Sequence, residues 1–381
     1  MGKPVGNPLR IGIIGCGKIV GQYLDSFRRL EDVRLVAVAD LDAARAGAVA
    51  EEYGQGVRAV AVDALLAADD VDLVLNLTVP AAHAEVALKA IAAGKHVYGE
   101  KPLAATTQEA REVLDAAREA GVVVGCAPDT VLGTGIQTAR KAIDDGLIGA
   151  PVAAMATMVT PGHERWHPNP DFYYVPGGGP LLDMGPYYVT ALVTLLGPVA
   201  SVIGAASHTR AERTIGSGPR AGETIPVTTD THVTGVLVHE SGALSTLVMS
   251  FDAVATHSAN IEVHGSLGTL AVPDPNHFDG DTRLFRLGGS EWETLPVSAG
   301  YTGSGRGYGI ADLARTLAGH AAAPGEEPRA GGILAYHVLD VMESLLASAH
   351  TGASAAVTSR AERPRAVALE EVAAEPSRLT A

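Results

Sequence analysis

Short apolar runs alternate with longer amphipathic stretches through the first third of the chain. Residues 10–14, 33–39, 72–77, 96–98 and 122–126 read as short strands, and 33–39 and 72–77 are mainly β-branched and other apolar residues, the pattern of strands buried on both sides. Between them, 18–30, 43–53, 81–93 and 107–120 read as helices. Gly94 and Gly121 follow the last two as C-terminal stops, and Thr106 or Thr107 caps the last. Strands alternating with helices of this length predict a doubly wound parallel sheet.

The pattern changes after about residue 127. A helix is expected at 136–146 and a strand at 151–160, followed by a stretch at 161–186 dense in Gly, Pro, His and aromatics. A helix at 187–196 comes next. From 199 to 296 short segments such as 231–238 and 244–251 alternate Thr, Val and His with apolar residues, which predicts a mostly antiparallel open sheet. A last amphipathic helix is expected at 331–349. Residues 321–330 and 353–381, rich in Ala, Pro, Glu and Arg, read as a surface loop and a tail.

The stretch 9–21, LRIGIIGCGKIVG, ends a β-run at Gly15, turns on glycine and begins a helix. Such a turn offers bare backbone N–H groups to a phosphate. Gly15 allows the turn, and Gly17 leaves backbone uncovered where a pyrophosphate comes close. Cys16, Lys18 and Ile19 complete the candidate cradle. Val20 occupies the third position of a G-x-G-x-x-G pattern and Gly21 follows one residue late, so the motif alone also fits an ordinary strand–turn–helix. Asp40 adds to it. This residue ends the second strand, twenty residues past Val20, where a carboxylate accepts ribose hydroxyls or caps a helix. Its charge repels a 2′-phosphate, and Leu41 follows where a basic residue would hold one. NAD is therefore expected over NADP.

Two later strand ends carry further candidates. Thr78, Pro80 and His83 follow a buried strand, and His83 caps a helix or touches the cofactor. Glu100-Lys101-Pro102 follows the next strand, where a lysine either polarises a substrate oxygen or is a solvated surface charge.

NLTVPAAHAEVALKAIAAGKHVYGEKPLA at 76–104 resembles the Gfo/Idh/MocA oxidoreductases, whose signature is the Glu-Lys-Pro turn. IGIIGCGKI at 11–19, Asp40, PGGGPLLDMGPYY at 176–188 and EVHGSLGTL at 262–270 are similar to the same family in the same order, over roughly residues 9 to 350. The resemblance implies an α/β fold: an N-terminal Rossmann doubly wound parallel sheet plus a C-terminal α/β domain with a large, mostly antiparallel open sheet. The expected boundaries are 1–127 for the NAD(P)-binding domain, 128–360 for the substrate and oligomerisation domain, and 361–381 for the tail. It implies an NAD(P)-dependent dehydrogenase or reductase acting on sugars, cyclitols or related polyols, working as a homodimer or homotetramer. Two other classes share the fold: glycoside hydrolases that retain NAD, and non-catalytic dinucleotide-responsive regulators.

The resemblance makes Lys101 the catalytic lysine, with Glu100 and Lys101 joining the cofactor contacts. The family's Asp-x-Gly-x-His motif reads Asp183-Met184-Gly185-Pro186-Tyr187 here, so a tyrosine stands where histidine is usual. A tyrosine beside an ammonium can exchange a proton with a substrate hydroxyl or carbonyl, and Tyr187 takes that role or anchors a helix start. Asp183 accepts a hydroxyl hydrogen bond. His163, Trp166, His167 and Tyr173 gather aromatic and polar groups in a chain with only 4% aromatic residues. Rings of this kind stack on the apolar faces of sugars, or pack a structured loop. The His163/His167 pair lacks a third ligand, so no metal is expected. His337, on the last helix, reads first as a core or domain-contact histidine and second as a weaker pocket candidate.

The net charge of −15 excludes nucleic acid and anionic membranes as partners. The two cysteines form no metal or disulfide pattern. No secretory pattern and no uninterrupted apolar run of spanning length is read, and Asn76-Leu77-Thr78, a glycosylation pattern, lies in an apolar strand. A cytoplasmic protein is expected.

Overall fold

The apolar runs form strands and the stretches between them form helices in a computed structural model that describes residues 7–319 and 327–369. In chain order the first elements are β1 (Leu9–Ile14), α1 (Val20–Phe27), β2 (Val33–Ala39), α2 (Ala43–Tyr53), β3 (Arg58–Ala59), α3 (Val62–Leu66), β4 (Leu73–Asn76), α4 (His83–Ala92), β5 (His96–Gly99), α5 (Thr107–Ala120) and β6 (Val124–Cys126). There follow α6 (Thr134–Asp144), β7 (Pro151–Val159), α7 (Gly179–Leu196), β8 (Val199–Ser207), β9 (Glu212–Thr214), β10 (Thr224–Pro226), β11 (His232–His239) and β12 (Leu244–Ser250). The last are β13 (Ile261–Gly265), β14 (Gly268–Val272), β15 (Arg283–Arg286), β16 (Glu293–Thr294), α8 (Tyr308–Leu317), α9 (Gly332–Thr351) and β17 (Ala355–Ala356).

Contacts divide the chain into two units, and neither is continuous in sequence. The first comprises residues up to Thr134, Ala299–Tyr336 and those from Val367 on; the second comprises Gly135–Ser298 and His337–Ala366. The first unit therefore extends past 127 and takes in α8. Asp129, fully buried, accepts the N–H groups of Gly307 and Gly309 at 2.8 and 3.0 Å and so fixes the start of α8. Burial pushes its carboxyl above the usual range while the Arg306 guanidinium and these two N–H groups oppose that rise.

The first unit holds a six-stranded parallel sheet in the order β3-β2-β1-β4-β5-β6. Its strands are near-continuously buried, as expected of a sheet covered on both faces. Chain order reverses between β1 and β4, the switch point where such sheets bind ligands at their carboxyl edge. α5 is bounded as expected: Thr106 and Glu109 form a capping box, and Gly121 ends the helix at φ 67°. β3 and α3 have no counterpart in the expected elements, because Arg58 and Ala59 are exposed and show no apolar pattern. α4 starts at His83 instead of 81, after a 3₁₀ turn at Pro80–Ala82. α1 covers less than 18–30, since residues 17–19 are used by the turn before it.

The second unit is built on a nine-stranded sheet in the order β16-β15-β14-β13-β7-β12-β11-β8-β17. All its pairings are antiparallel except β7 with β12. α7 packs on β7, β11 and β12. Gly204 and Gly235 admit Leu345 of α9 against the sheet; a Cβ at either would lie 2.5 Å from a Leu345 atom or a neighbouring strand carbonyl. The register aligns Ile203, Val236, Thr246, Met155 and Glu262 in one row across five strands. Ile203 and Met155 in that row are 54% and 47% exposed.

α7 begins eight residues before the expected 187. Gly179 enters it at φ 89°, where a Cβ would lie 2.7 Å from the Asp230 carbonyl, and Pro180 sits in the first turn, where its missing N–H costs nothing. Pro186 falls inside the helix and interrupts its ladder. The buried run from Gly185 to Leu196 carries the helix through. Asp183 and Tyr187 therefore lie inside a helix, one turn apart on one face, and not before and at its start.

The expected tail from 361 is packed as far as it is described. Arg363 donates to the Thr194 carbonyl at 2.8 Å and to Asp144 at 2.6 Å, and Val367 is buried. Residues 370–381 of that tail, and 321–326 of the expected loop, lie outside the described residues. Among the described residues, one helix, α9, has the length and mean hydropathy of a membrane span; Asp340 and Glu343 interrupt it and more than half of it is buried in the fold.

Candidate functional site

At the carboxyl edge of the parallel sheet the turn after β1 meets the end of β2. Gly15 has φ 102°, and a Cβ there would lie 2.7 Å from the Leu77 carbonyl carbon and oxygen. No other residue fits that position. A Cβ on Gly17 would meet no atom within 4 Å, so the space above the turn is open. Gly21 is equally open, so it is not a close-packing glycine, and the third position belongs to buried Val20. The close-packed glycine is Gly12 within β1, where a Cβ would strike Leu65 at 2.8 Å.

Asp40 is tied to the turn. One carboxylate oxygen accepts the Cys16 N–H at 2.7 Å and the other the Asp42 N–H at 2.8 Å, while Arg45 stands 3.7 Å away. Burial, with Asp40 adding to it, pushes the Cys16 thiol up to about 11. A cleft of about 870 Å³ opens here, lined among others by Gly15, Gly17, Asp40, Leu41, Thr78 and Val79. Leu41 and Val79 stand 101% and 66% exposed as its apolar walls. An open glycine turn, a strand-end carboxylate and flanking apolar walls fit an adenosine diphosphate moiety.

The loops after β4 and β5 belong to the same edge. His83 is buried, with Nδ1 2.6 Å from the Pro102 carbonyl and Nε2 3.1 Å from the Thr78 carbonyl, so its ring ties the two loops together. Asn76 holds the Thr78 hydroxyl at 2.6 Å and the His83 carbonyl at 3.0 Å. Asn76, at the end of β4, thus braces both the turn and the start of α4. Pro80 opens the 3₁₀ turn. Glu100 accepts from the Tyr23 hydroxyl at 2.8 Å and from the Lys101 N–H at 3.1 Å, binding the Glu-Lys-Pro loop to α1. Burial raises the Tyr23 phenol well above its ordinary value, and Glu100 adds to this, which keeps it a donor. Lys101 follows at the half-buried tip, and its peptide to Pro102 is cis.

In the second unit the chemistry gathers around α7. Asp183 takes the His163 imidazole at its Oδ2, 3.2 Å from Nε2. His163 is 9% exposed, and its imidazole lies against Phe251, Tyr173 and Trp166, with ring centroids 4.4, 4.8 and 5.1 Å away. Tyr187 is buried one turn further along α7. His167 accepts the Asn169 N–H at 3.1 Å and stands edge-on to Phe172 and Tyr173. Trp166 and Phe172 are 58% and 54% exposed. No group of three or more His, Cys, Asp or Glu able to hold a metal occurs among the described residues. His337 is fully buried and structural: Nε2 accepts the Val199 N–H at 3.0 Å and Nδ1 meets Ser359 at 2.8 Å. It is not a pocket residue.

Beneath the aromatic loop lies a network with no sequence signal. Arg213, on β9 and almost fully buried, donates to Glu164 at 3.1 Å and to Asp252 at 2.5 Å, and its guanidinium lies over the Tyr174 ring. The Tyr174 hydroxyl donates to Glu164. These residues are 49 and 39 positions apart along the chain from Arg213, so no local spacing marks them.

The first unit is thus the dinucleotide-binding half of a Rossmann-fold oxidoreductase. Two family models match the chain: one described as "Oxidoreductase family, NAD-binding Rossmann fold" over residues 9–127, the other as "GFO/IDH/MocA C-terminal domain" over 136–271. The chain belongs to the Gfo/Idh/MocA oxidoreductase family. It is 33% identical to the 1,5-anhydro-D-fructose reductase of Ensifer adhaerens, across 68% of this chain and 74% of the relative. It is 30% identical to the inositol 2-dehydrogenase of Rhizobium meliloti (strain 1021), across 69% and 75%. The crystal structure of an NAD binding oxidoreductase from Klebsiella pneumoniae superposes with a TM-score of 0.78 at 27% identity, covering 93% of this chain and all of that one.

Proposed function

We propose that this protein transfers hydride between NAD and a secondary alcohol or ketone of a sugar, cyclitol or related polyol. One observation carries the reading: the glycine turn, Asp40 and the Glu100-Lys101-Pro102 loop stand on the same carboxyl edge of one parallel sheet. The substrate class is supported by relatives named for an anhydro-fructose and for inositol.

Bound NAD supplies the hydride acceptor or donor. The backbone of Gly15, Cys16, Gly17, Lys18 and Ile19 holds its pyrophosphate, and Asp40 its adenosine ribose. Thr78, Pro80 and His83 shape the wall of that site, and Glu100 sets the direction of Lys101. Lys101 stabilises negative charge developing on the substrate oxygen. Tyr187 takes or gives the hydroxyl proton, and Asp183 accepts a hydrogen bond that orients the substrate. Trp166, His167 and Tyr173 receive the faces and rim of the polyol. The part-exposed row Ile203, Val236, Thr246 and Met155 supports a homodimer or homotetramer formed through the open face of the sheet, testable by light scattering. Cys16 and Cys126, buried and unpaired, agree with a reducing cytoplasm.

The test is a panel of sugars, inositols, glycosides and their keto forms with NAD(H) and NADP(H). Turnover on at least one, faster with NAD(H) and lost in Lys101→Ala, is expected. Release of a reducing sugar without net NADH would move the protein to the NAD-retaining hydrolases instead, and silence across the panel would overturn the reading.

A further inference from the structure

We propose that His163 is the positioning residue of Asp183, and that the buried Glu164–Arg213–Asp252 network serves to hold that pair in place. This rests on the placement of Asp183 against substrate made above. An ionised carboxylate only accepts, so the His163 ring must donate from Nε2 to Asp183 Oδ2 across 3.2 Å. The other ring nitrogen, Nδ1, is buried with no hydrogen-bond partner, so the whole polarity of the imidazole is committed to this one contact.

Everything around the ring restricts it. Three aromatic rings set its plane. The backbone N–H of His163 donates to the Tyr174 hydroxyl at 3.1 Å, and that hydroxyl is held by Glu164. Glu164 is held by Arg213, Arg213 by Asp252, and Asp252 by the Thr231 hydroxyl at 2.6 Å. The preceding Gly162 has φ 113°, and a Cβ there would lie 2.1 Å from a Glu164 oxygen. Burying an arginine with two carboxylates rarely adds stability over apolar packing, so the network is best explained by the geometry it imposes. That geometry ends on one oxygen of Asp183. Holding Oδ2 restricts the rotation of the carboxylate and so the direction in which Asp183 meets a substrate hydroxyl.

Glutamine and asparagine separate this role from packing. His163→Gln can place an N–H near the Nε2 position; His163→Asn can place one only near Nδ1. The expected result is kcat/KM within about threefold of wild type for Gln and a loss of about 10–100-fold for Asn, mostly in kcat. The two variants should have similar Tm and unchanged NADH affinity. Equal losses that follow Tm would overturn the proposal. A second measurement needs no substrate: in ¹⁵N-histidine-labelled protein, the His163 ring is expected as the Nε2–H tautomer, with a resonance displaced by Asp183→Asn. The Nδ1–H tautomer, or indifference to Asp183→Asn, would overturn the pairing. Failure of the substrate panel alone would leave this second result standing and bring down only the oxidoreductase reading.

Discussion

The two units build their chemistry in opposite ways. In the parallel-sheet unit the cofactor edge is made of short local segments: a glycine turn, a strand-end aspartate and a Glu-Lys-Pro loop, each directly after a strand. Backbone N–H groups and positive φ do the work there, so a few residues in sequence suffice. In the second unit Asp183 is aligned by His163, whose loop is supported by Arg213 and Asp252 on other strands. On the proposed reading the main chain and one strand-end carboxylate meet the dinucleotide, whereas a substrate hydroxyl meets a side chain that several distant elements converge to hold.

The sharpest break between the units should come from Lys101→Met. A loss of about 10³-fold in kcat is expected, within the usual range for general acid–base and charge-stabilising groups, with NADH affinity kept within about twofold. A parallel collapse of NADH binding by fluorescence titration would show the edge and the chemistry to be inseparable. Arg213→Met should act on the other unit. It leaves Glu164 and Asp252 buried without their cation, which costs on the order of 3–5 kcal/mol in denaturant unfolding. A change below about 1 kcal/mol would mean the network is not under the strain of burial.

Gly15→Ala tests the backbone side. An alanine must adopt φ 102° and meet the Leu77 carbonyl, a strain of about 1–3 kcal/mol, and NADH binding should fall with it. Asp40→Ser is milder. NADH affinity should drop about tenfold while NADPH gains, since a repulsive carboxylate near the 2′ position is gone and Arg45 remains. Isothermal titration with both cofactors gives the ratio; an unchanged ratio removes Asp40 from cofactor choice. The smallest effect is expected at Cys16. With its thiol held up at about 11, roughly one in a thousand molecules is thiolate at pH 8, so iodoacetamide should hardly modify it, with the rate rising about tenfold per pH unit towards 11. Rapid alkylation at pH 8 would show that the thiol is less shielded than its burial, with Asp40 beside it, implies.

Much of the cofactor edge was readable because its signals are local. The boundaries of β2, α2 and α5 follow from apolar runs, alanine content and a capping box. The first part of α7, 179–186, was not, because Gly178-Gly179-Pro180 and Pro186 read as breakers one at a time, while the burial that overrides them comes from the sheet it packs on. His337 reads as a core or domain-contact histidine from its place on an amphipathic helix, and it is buried, but its partners Val199 and Ser359 lie far off in sequence and carry no local signal. Asn76 stood in the quoted motif without a role and Glu100 only as a cofactor contact, since a brace is recognised only by what it holds.

By itself the sequence determined the strand–helix alternation, the glycine turn with Asp40, the Glu-Lys-Pro loop and the family they resemble, since each depends on neighbours within a few residues. Only the tertiary structure decided that the first unit is discontinuous, that His163 is buried against Asp183, and that Arg213 lies beneath their loop. Those contacts join residues 20 to 50 positions apart, and their energy comes from desolvation and packing, which no local spacing records.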